Sequence, residues 1–542
     1  MTHEETLRAA LSEALSQIGV ALDPSMIVIE TSKDPAHGDY ATNLAMRFAK
    51  PFQKAPRDVA ALILEHFSSE AVEKTEIAGP GFINFFMKKA SLGAIVDTIL
   101  KEGDSYGRLP KNGIKVDVEF VSANPTGDLH LGHTRGAALG DAICNLYEAA
   151  GYDVTREYYL NDCGNQVEHL GHSLSLRYHE LFGEEITFGD DDYRGNDLIA
   201  IAQEIKDKYG DKYLKDDQES HDFFIRFGID TEFGKIQKDL ADFRVRYDVI
   251  FKESQIREGT TIADTIQFLR DKGYLYEKEG ATFLATTRFF DDKDRPIIKA
   301  DGSYTYFMPD ICYHFNKMKR GYDIVVDMLG ADHFGYINRM KSAMEIGGFS
   351  SKRLEMEIYQ IVRVFRDGTE VKMSKRTGKA ITHRELVKEV GVDAVRYFFI
   401  DKAPGSHLDF NYDLATSKSK DNPVYYAQYA HARCASLLNL GGDIPLDPSL
   451  SGISGEKEAE ILKHLAAYPS MIEGAAKIRA PYKVTAYIEK LAALVHEYYA
   501  ANKIIDRADF AGSGSRLALM KACQTVLRNA LTLIGVSAPE KM

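Results

Sequence analysis

Apolar and polar residues alternate from Ile114 to Val121, and Pro125-Thr126-Gly127 then breaks the pattern. The alternation predicts a strand and the triplet a turn. From Arg135 the run Arg-Gly-Ala-Ala-Leu-Gly-Asp-Ala-Ile-Cys-Asn-Leu reads as a helix. The stretches Ile324 to Leu329 and Ile358 to Val364 predict further strands. Strand and helix patterns alternating in this way predict a parallel sheet, an α/β fold split by insertions. Residues 1–108 mix helix-like and strand-like segments, with a turn at Gly79-Pro80-Gly81 before the short apolar strand Phe82 to Phe86. Residues 104–113 read as a polar linker. From residue 411 the pattern is helical throughout. It is clearest over 516–534, where Leu517, Met520, Cys523, Leu527, Ala530, Leu531 and Ile534 recur mostly at three- or four-residue steps. Ser515 is placed to cap that helix, and Gly535 and Pro539 to stop it. Three regions follow: 1–108, 109–410 with an insertion at about 181–250, and 411–542.

With 542 residues the chain is too long for one core. Its 44% hydrophobic and 27% charged residues are those of a globular protein. No apolar run is long enough to span a bilayer, the N-terminus lacks the order of a secretory signal, and no membrane partner is expected. The five cysteines are scattered and never form CxxC, which fits a reducing cytoplasm and argues against structural zinc. The net charge of −13 speaks against a nucleic-acid partner until its distribution is considered. Residues 180–240 hold 17 Asp+Glu against 8 Lys+Arg, whereas residues 411–542 hold 13 against 15. The acidity is concentrated in the insertion, where it reads as a solvated helical face.

The chemistry sits in two places. His130-Leu-Gly-His133 follows the predicted strand and turn at a helix start, where free backbone N–H groups and the helix dipole suit a phosphate. Imidazole donors there can stabilise charge building at an α-phosphorus as pyrophosphate leaves. Gly132 lets a nucleotide approach the backbone. Roughly 240 residues later, Lys372-Met373-Ser374-Lys375 offers two lysines for the β- and γ-phosphates of the leaving group. Either motif alone is weak, because paired histidines and basic loops are usually surface features. In this order and separation they point to a nucleotide held from both sides.

These two motifs resemble the signatures of class I aminoacyl-tRNA synthetases. More closely, the chain resembles the bacterial type of arginyl-tRNA synthetase. The supporting segments are Ser122 to Gly127, Tyr158 to Asp162, Gly330 to His333 with Tyr336 to Met340, Gly391 to Phe399, Asp34 to Ala45, and Arg516 to Leu519 through Gly535 to Glu540. The resemblance spans essentially the whole chain. It implies a Rossmann-type catalytic domain, an N-terminal α+β domain that touches the tRNA elbow, and a C-terminal all-α domain that reads the anticodon. It implies that ATP and L-arginine form an adenylate and that tRNA receives the arginyl group on the 2′-OH of its terminal adenosine. It also implies Mg2+ accompanying ATP, tRNA bound before activation, and a monomer.

The resemblance also implies residue roles. His130, Gly132, His133, Lys372, Met373, Ser374 and Lys375 would bind ATP, with both histidines and both lysines catalytic. Ser122 and Asn124, aided by His133, would hold the amino and carboxylate groups of arginine. Tyr306 and Asp310 would recognise the guanidinium, since a carboxylate is its natural bidentate partner. From the residues alone, Asp310 could equally cap the next helix. Glu119 and Glu253 are assigned to the same pocket, and Asp332 to a position near amino acid and ribose. Tyr425, Gln428 and Tyr429 would meet unpaired anticodon bases from one helix face, with Arg433 on phosphate.

Asp128 places a negative charge where the family commonly has a neutral residue. Two other classes stay open at this stage: an adenylate-forming nucleotidyltransferase acting without tRNA, and a non-enzymatic RNA-binding paralogue.

Overall fold

The computed structural model describes residues 3–32, 37–257, 261–371 and 381–542. Its centre is a five-stranded, wholly parallel sheet made of β1 (Lys115–Glu119), β2 (Asp153–Leu160), β3 (Val249–Lys252), β4 (Ile324–Gly330) and β5 (Leu354–Tyr359). The strand order is β5-β4-β1-β2-β3. The chain winds outward in both directions from the β1/β4 pair, so the two connections leave a crevice at their carboxyl ends. Ligands of such sheets bind in that crevice. It is bounded by the loop after Glu119 on one side and the turn after Gly330 on the other.

Helices cover both faces. Those that matter for the site are α1 (Leu131–Ala149), α2 (Gln218–Asp242), α3 (Phe307–Lys319), α4 (His383–Val390) and α5 (Val392–Ile400). The C-terminal region contains α6 (Pro423–Leu440), α7 (Tyr482–Ala501) and α8 (Phe510–Leu533). None of the described helices is long and apolar enough to cross a membrane.

The acidic insertion lies within the connection from β2 to β3. Its helices enclose a small core of their own around Leu170, Leu174, Tyr178, Ile201, Ile205 and Phe224. A second insertion, between β3 and β4, forms a three-stranded antiparallel sheet. The N-terminal region is a four-stranded antiparallel sheet with helices. One buried cluster nevertheless runs from Leu7 through Val118 to Val536, joining the N-terminal, central and C-terminal regions.

Local readings of the sequence differ from the structure at four points. The strand expected to reach Val121 stops at Glu119, because Val121 and Ser122 turn to φ +70° and +41°. Residues 358–364 are two strands of different sheets, parted at Gln360 and Ile361. The expected linker is strapped to the central region, with Leu109 N–H donating to Ala149 (2.7 Å) and Asn112 N–H to Gly151 (3.0 Å). Finally, α8 begins at Phe510 with Asp509 as its cap. Ser515 is buried inside that helix and donates to Asp447 (2.6 Å).

Helix α1 packs so closely on the end of β1 that Gly140 has no room for a side chain. A Cβ there would lie 2.3 Å from the Phe120 ring. Gly140→Ala therefore overpacks the junction and should cost about 1–3 kcal/mol despite the better helix propensity of alanine. A lowered midpoint of chemical unfolding is the expected result.

Candidate functional site

The loop leaving β1 holds a strained conformation. A β-branched residue at positive φ costs of order 1–3 kcal/mol and persists only where its surroundings fix it. Here long-range hydroxyls do so. Tyr247 donates to the Phe120 carbonyl (3.1 Å) and Tyr158 to that of Ala123 (2.6 Å). Ser122 Oγ donates to Glu119 (2.8 Å) and accepts from the Tyr159 N–H (3.1 Å). Asn124, at the exposed rim, donates to Gln166 (2.6 Å).

His130 is the N-cap of α1. Its Nδ1 accepts from the N–H groups of Gly132 (3.1 Å) and His133 (3.4 Å), while His133 Nδ1 accepts from the His130 N–H (3.3 Å). The rings stack with centroids 3.6 Å apart. Because each Nδ1 is an acceptor, both imidazoles are neutral and carry their proton on Nε2. Burial acts in the same direction, lowering the His130 pKa and pushing that of His133 down to about 3. The result is two neutral N–H donors at the positive end of a helix. Gly132 is needed because a Cβ would sit 2.9 Å from His130 Cε1.

The start of α4 runs alongside. Thr382 forms an antiparallel bridge with His130, and the His383 N–H donates to Leu129 (2.7 Å). Lys372, Met373, Ser374 and Lys375 lie outside the described residues.

Across the crevice, α3 presents Asp310, Tyr313, His314 and Lys317 at three- and four-residue spacing, one helix face directed at the sheet. Lys317 is fully buried and donates to Glu119 (2.5 Å) and Asp327 (2.7 Å). His314 sets Nδ1 against the Asp310 carbonyl (2.7 Å) and Nε2 against Asp327 (2.6 Å). Two acceptors on one ring require the imidazolium. Burial opposes that charge, but Asp327 outweighs it and the pKa is raised.

The Asp310 carboxylate accepts from the Tyr336 hydroxyl. Burial, reinforced by the charges on Glu119 and Glu253, raises it to about 6. Glu119 is paired with Lys317, and Glu253 takes two bonds from Arg257 (2.8 and 2.5 Å). Asp310, among the described residues, has no ion-pair partner. A half-buried carboxylate of this kind can receive an incoming cation.

Tyr306 stands at the N-cap of α3, 82% exposed, and the hydroxyl on Asp310 comes from Tyr336 instead. Asp332 is exposed in the short turn Ala331–Tyr336. Tyr313, His314, Lys317 and Tyr336 were not singled out from sequence. The first three carried a signal, as polar residues in step with Asp310 on a helix whose neighbouring positions, Ile311, Cys312, Phe315 and Met318, are apolar.

On α6, the Tyr425 and Tyr429 rings stack at 6.0 Å. The Arg433 guanidinium lies between Tyr429 (4.6 Å) and Tyr499 of α7 (4.3 Å), and donates to His496 Nδ1 (2.7 Å). Gln428 donates to Asp393 of α5 (2.9 Å) and to the Ser537 carbonyl (3.0 Å), beside a cavity of about 500 Å³ that Tyr425 also lines. Among the described residues, no group of three or more His, Cys, Asp or Glu is placed to hold a metal.

Three family models match the chain in tandem. They are the arginyl tRNA synthetase N terminal domain over residues 5–87, the class I (R) tRNA synthetase catalytic domain over 95–402, and the DALR anticodon binding domain over 427–542. The arginine–tRNA ligase of Bacillus subtilis is 48% identical over 549 residues, 99% of each chain. That of Anoxybacillus flavithermus is 48% identical over 553 residues, again 99% of each. The fold matches the arginyl-tRNA synthetase of Thermus thermophilus over 100% of both chains, with TM-score 0.78 at 20% identity.

The cap and the chemistry of His130 can be separated. His130→Ala removes the cap and should destabilise by about 1 kcal/mol, whereas His130→Asn keeps a good cap and loses only the Nε2 donor. Thermal unfolding should therefore place the Asn variant nearer to wild type than the Ala variant.

Proposed function

The chain belongs to the arginyl-tRNA synthetase family, and we propose that the residues described above divide that family's reaction between them as follows. The enzyme activates L-arginine with ATP and passes the arginyl group to tRNA. The observation that supports the division of labour is the Asp310 carboxylate, half-buried in the crevice between β1 and β4 and without an ion-pair partner among the described residues. The guanidinium of arginine supplies the missing charge, with Tyr336 fixing the carboxylate and Glu119 and Glu253 adding negative potential. Tyr306 closes the pocket from its exposed position.

Ser122 and Asn124 hold the amino and carboxylate ends, and Asp332 lies toward the ribose. ATP lies along the start of α1, where the Nε2–H groups of His130 and His133 face the phosphates. Donors fixed in advance stabilise charge as it appears on the α-phosphorus without reorganising. The arginine carboxylate oxygen attacks that phosphorus and pyrophosphate departs, its charge met by Lys372 and Lys375. The 2′-OH of the terminal tRNA adenosine then attacks the adenylate carbonyl, forming the arginyl ester and releasing AMP. Mg2+ would enter with ATP as part of the substrate and would supply charge neutralisation to the phosphates. Residues 1–108 meet the tRNA elbow. Tyr425, Tyr429 and Arg433 meet the anticodon loop, and Gln428 lies beside them at the junction with α5. The protein works in the cytoplasm as a monomer and activates arginine with tRNA bound.

Arginine-dependent ATP–pyrophosphate exchange, with and without tRNA bearing an arginine anticodon, tests this reading. Exchange only with tRNA is the expected result; exchange without it removes the tRNA requirement, and none in either condition overturns the assignment. The pocket carries a pH signature. Asp310 binds a guanidinium only as the carboxylate, the form that predominates above about pH 6. The KM for arginine should climb steeply below that pH while the KM for ATP does not, and a flat profile to pH 5 would contradict the pocket. Asp310→Asn should lower kcat/KM for arginine by roughly 10²–10³-fold.

A further inference from the structure

Asp128 lies two residues before His130, a separation of at most about 7 Å along the chain. An unpaired carboxylate there would repel a triphosphate. Its carboxylate lies 3.5 Å from Arg384 Nη1, and Arg384 in turn makes a bidentate pair with Asp239 of α2, both bonds 2.9 Å. Asp239 is 8% exposed, whereas Arg384 and Asp128 are about half exposed, at 51% and 45%. The guanidinium is therefore fixed from its buried side and offers its remaining edge to Asp128. Glu232, the other nearby acid of α2, is matched by Lys235 (2.8 Å). Arg384 also sits one residue after His383 and two after Thr382, which bind the backbone of Leu129 and His130.

We propose that Arg384 is a positioning residue for nucleotide binding, held by Asp239 so that its charge cancels Asp128 beside the phosphates. The proposal rests on the assignment of ATP to His130 and His133. It gives the end of the acidic insertion a task, since the insertion supplies the carboxylate that anchors the arginine. The effect is electrostatic and partly exposed, so it responds to salt.

The test compares four full-length proteins in arginine-dependent exchange with tRNA present: wild type, Arg384→Ala, Asp128→Asn and the double variant. Arg384→Ala should raise the KM for ATP about tenfold at low salt, leave the KM for arginine unchanged, and lose most of its defect as salt rises. Asp128→Asn should stay near wild type. The double variant should recover most of the loss, because the charge that needed cancelling is gone; a merely structural arginine would not be rescued this way. Should Arg384→Ala fail to fold, Arg384→Gln keeps a donor to Asp239 without the charge and gives the same comparison. A double variant as impaired as the single one, a defect indifferent to salt, or a single variant with the wild-type KM for ATP would each overturn the proposal. A wild-type protein that shows no exchange would overturn the ATP assignment and this proposal with it.

Discussion

A fully buried ammonium, that of Lys317, constrains everything around it. An ammonium out of water is tolerated only when carboxylates surround it in good geometry. Those carboxylates come from two different strands, Glu119 at the end of β1 and Asp327 within β4. Helix α3 can therefore sit on the sheet in only one register. That register also sets Arg320 on Glu157 and His314 on Asp327. Three cations then face three carboxylates, and Asp117, its pKa raised by burial, lies 3.7 Å from the Lys317 ammonium. With α3 fixed, Asp310 is fixed one turn before His314, at the mouth of the crevice.

The same network reaches the loop that leaves β1. Glu119 uses one oxygen for Lys317 and the other for Ser122, so the buried charge and the strained loop are joined through a single side chain. The start of α1 is held independently, by the two imidazoles capping it and by the strap from Thr382 and His383. Asp310 and the paired histidines, to which guanidinium and phosphate recognition are proposed to fall, thus rest on different supports joined by the short loop between Glu119 and His130.

Much of this was legible in the sequence because it depends on local pattern. The alternation through Val116 and Val118, the turn at Pro125 and the two histidines placed a helix start after a strand. The three- and four-residue steps from Leu517 to Ile534 gave the last helix. What stayed hidden depends on partners distant in the chain. The strand ends early because Tyr158 and Tyr247 hold the loop at Phe120 and Ala123. Tyr336, rather than the nearby Tyr306, reaches Asp310 from 26 residues away. Ser515 resembles a cap, but the Gly512–Gly514 stretch before it continues the helix, since Asp509 satisfies its first turn. Asp128 looked unfavourable until folding supplied Arg384.

The buried cluster that runs unbroken from Leu7 to Val536 bears on how the molecule meets so large a partner. Parts that share one close-packed interior do not swing against each other as hinged lobes do, because such cores resist shear. The distance from the aromatic face of α6 to the crevice at β1 is then a fixed span. On the proposed assignment, a polynucleotide that touches both ends at once does the bending itself. Under the proposed assignment the protein acts as a gauge, and an RNA that flexes to its spacing is brought into register with the adenylate carbonyl.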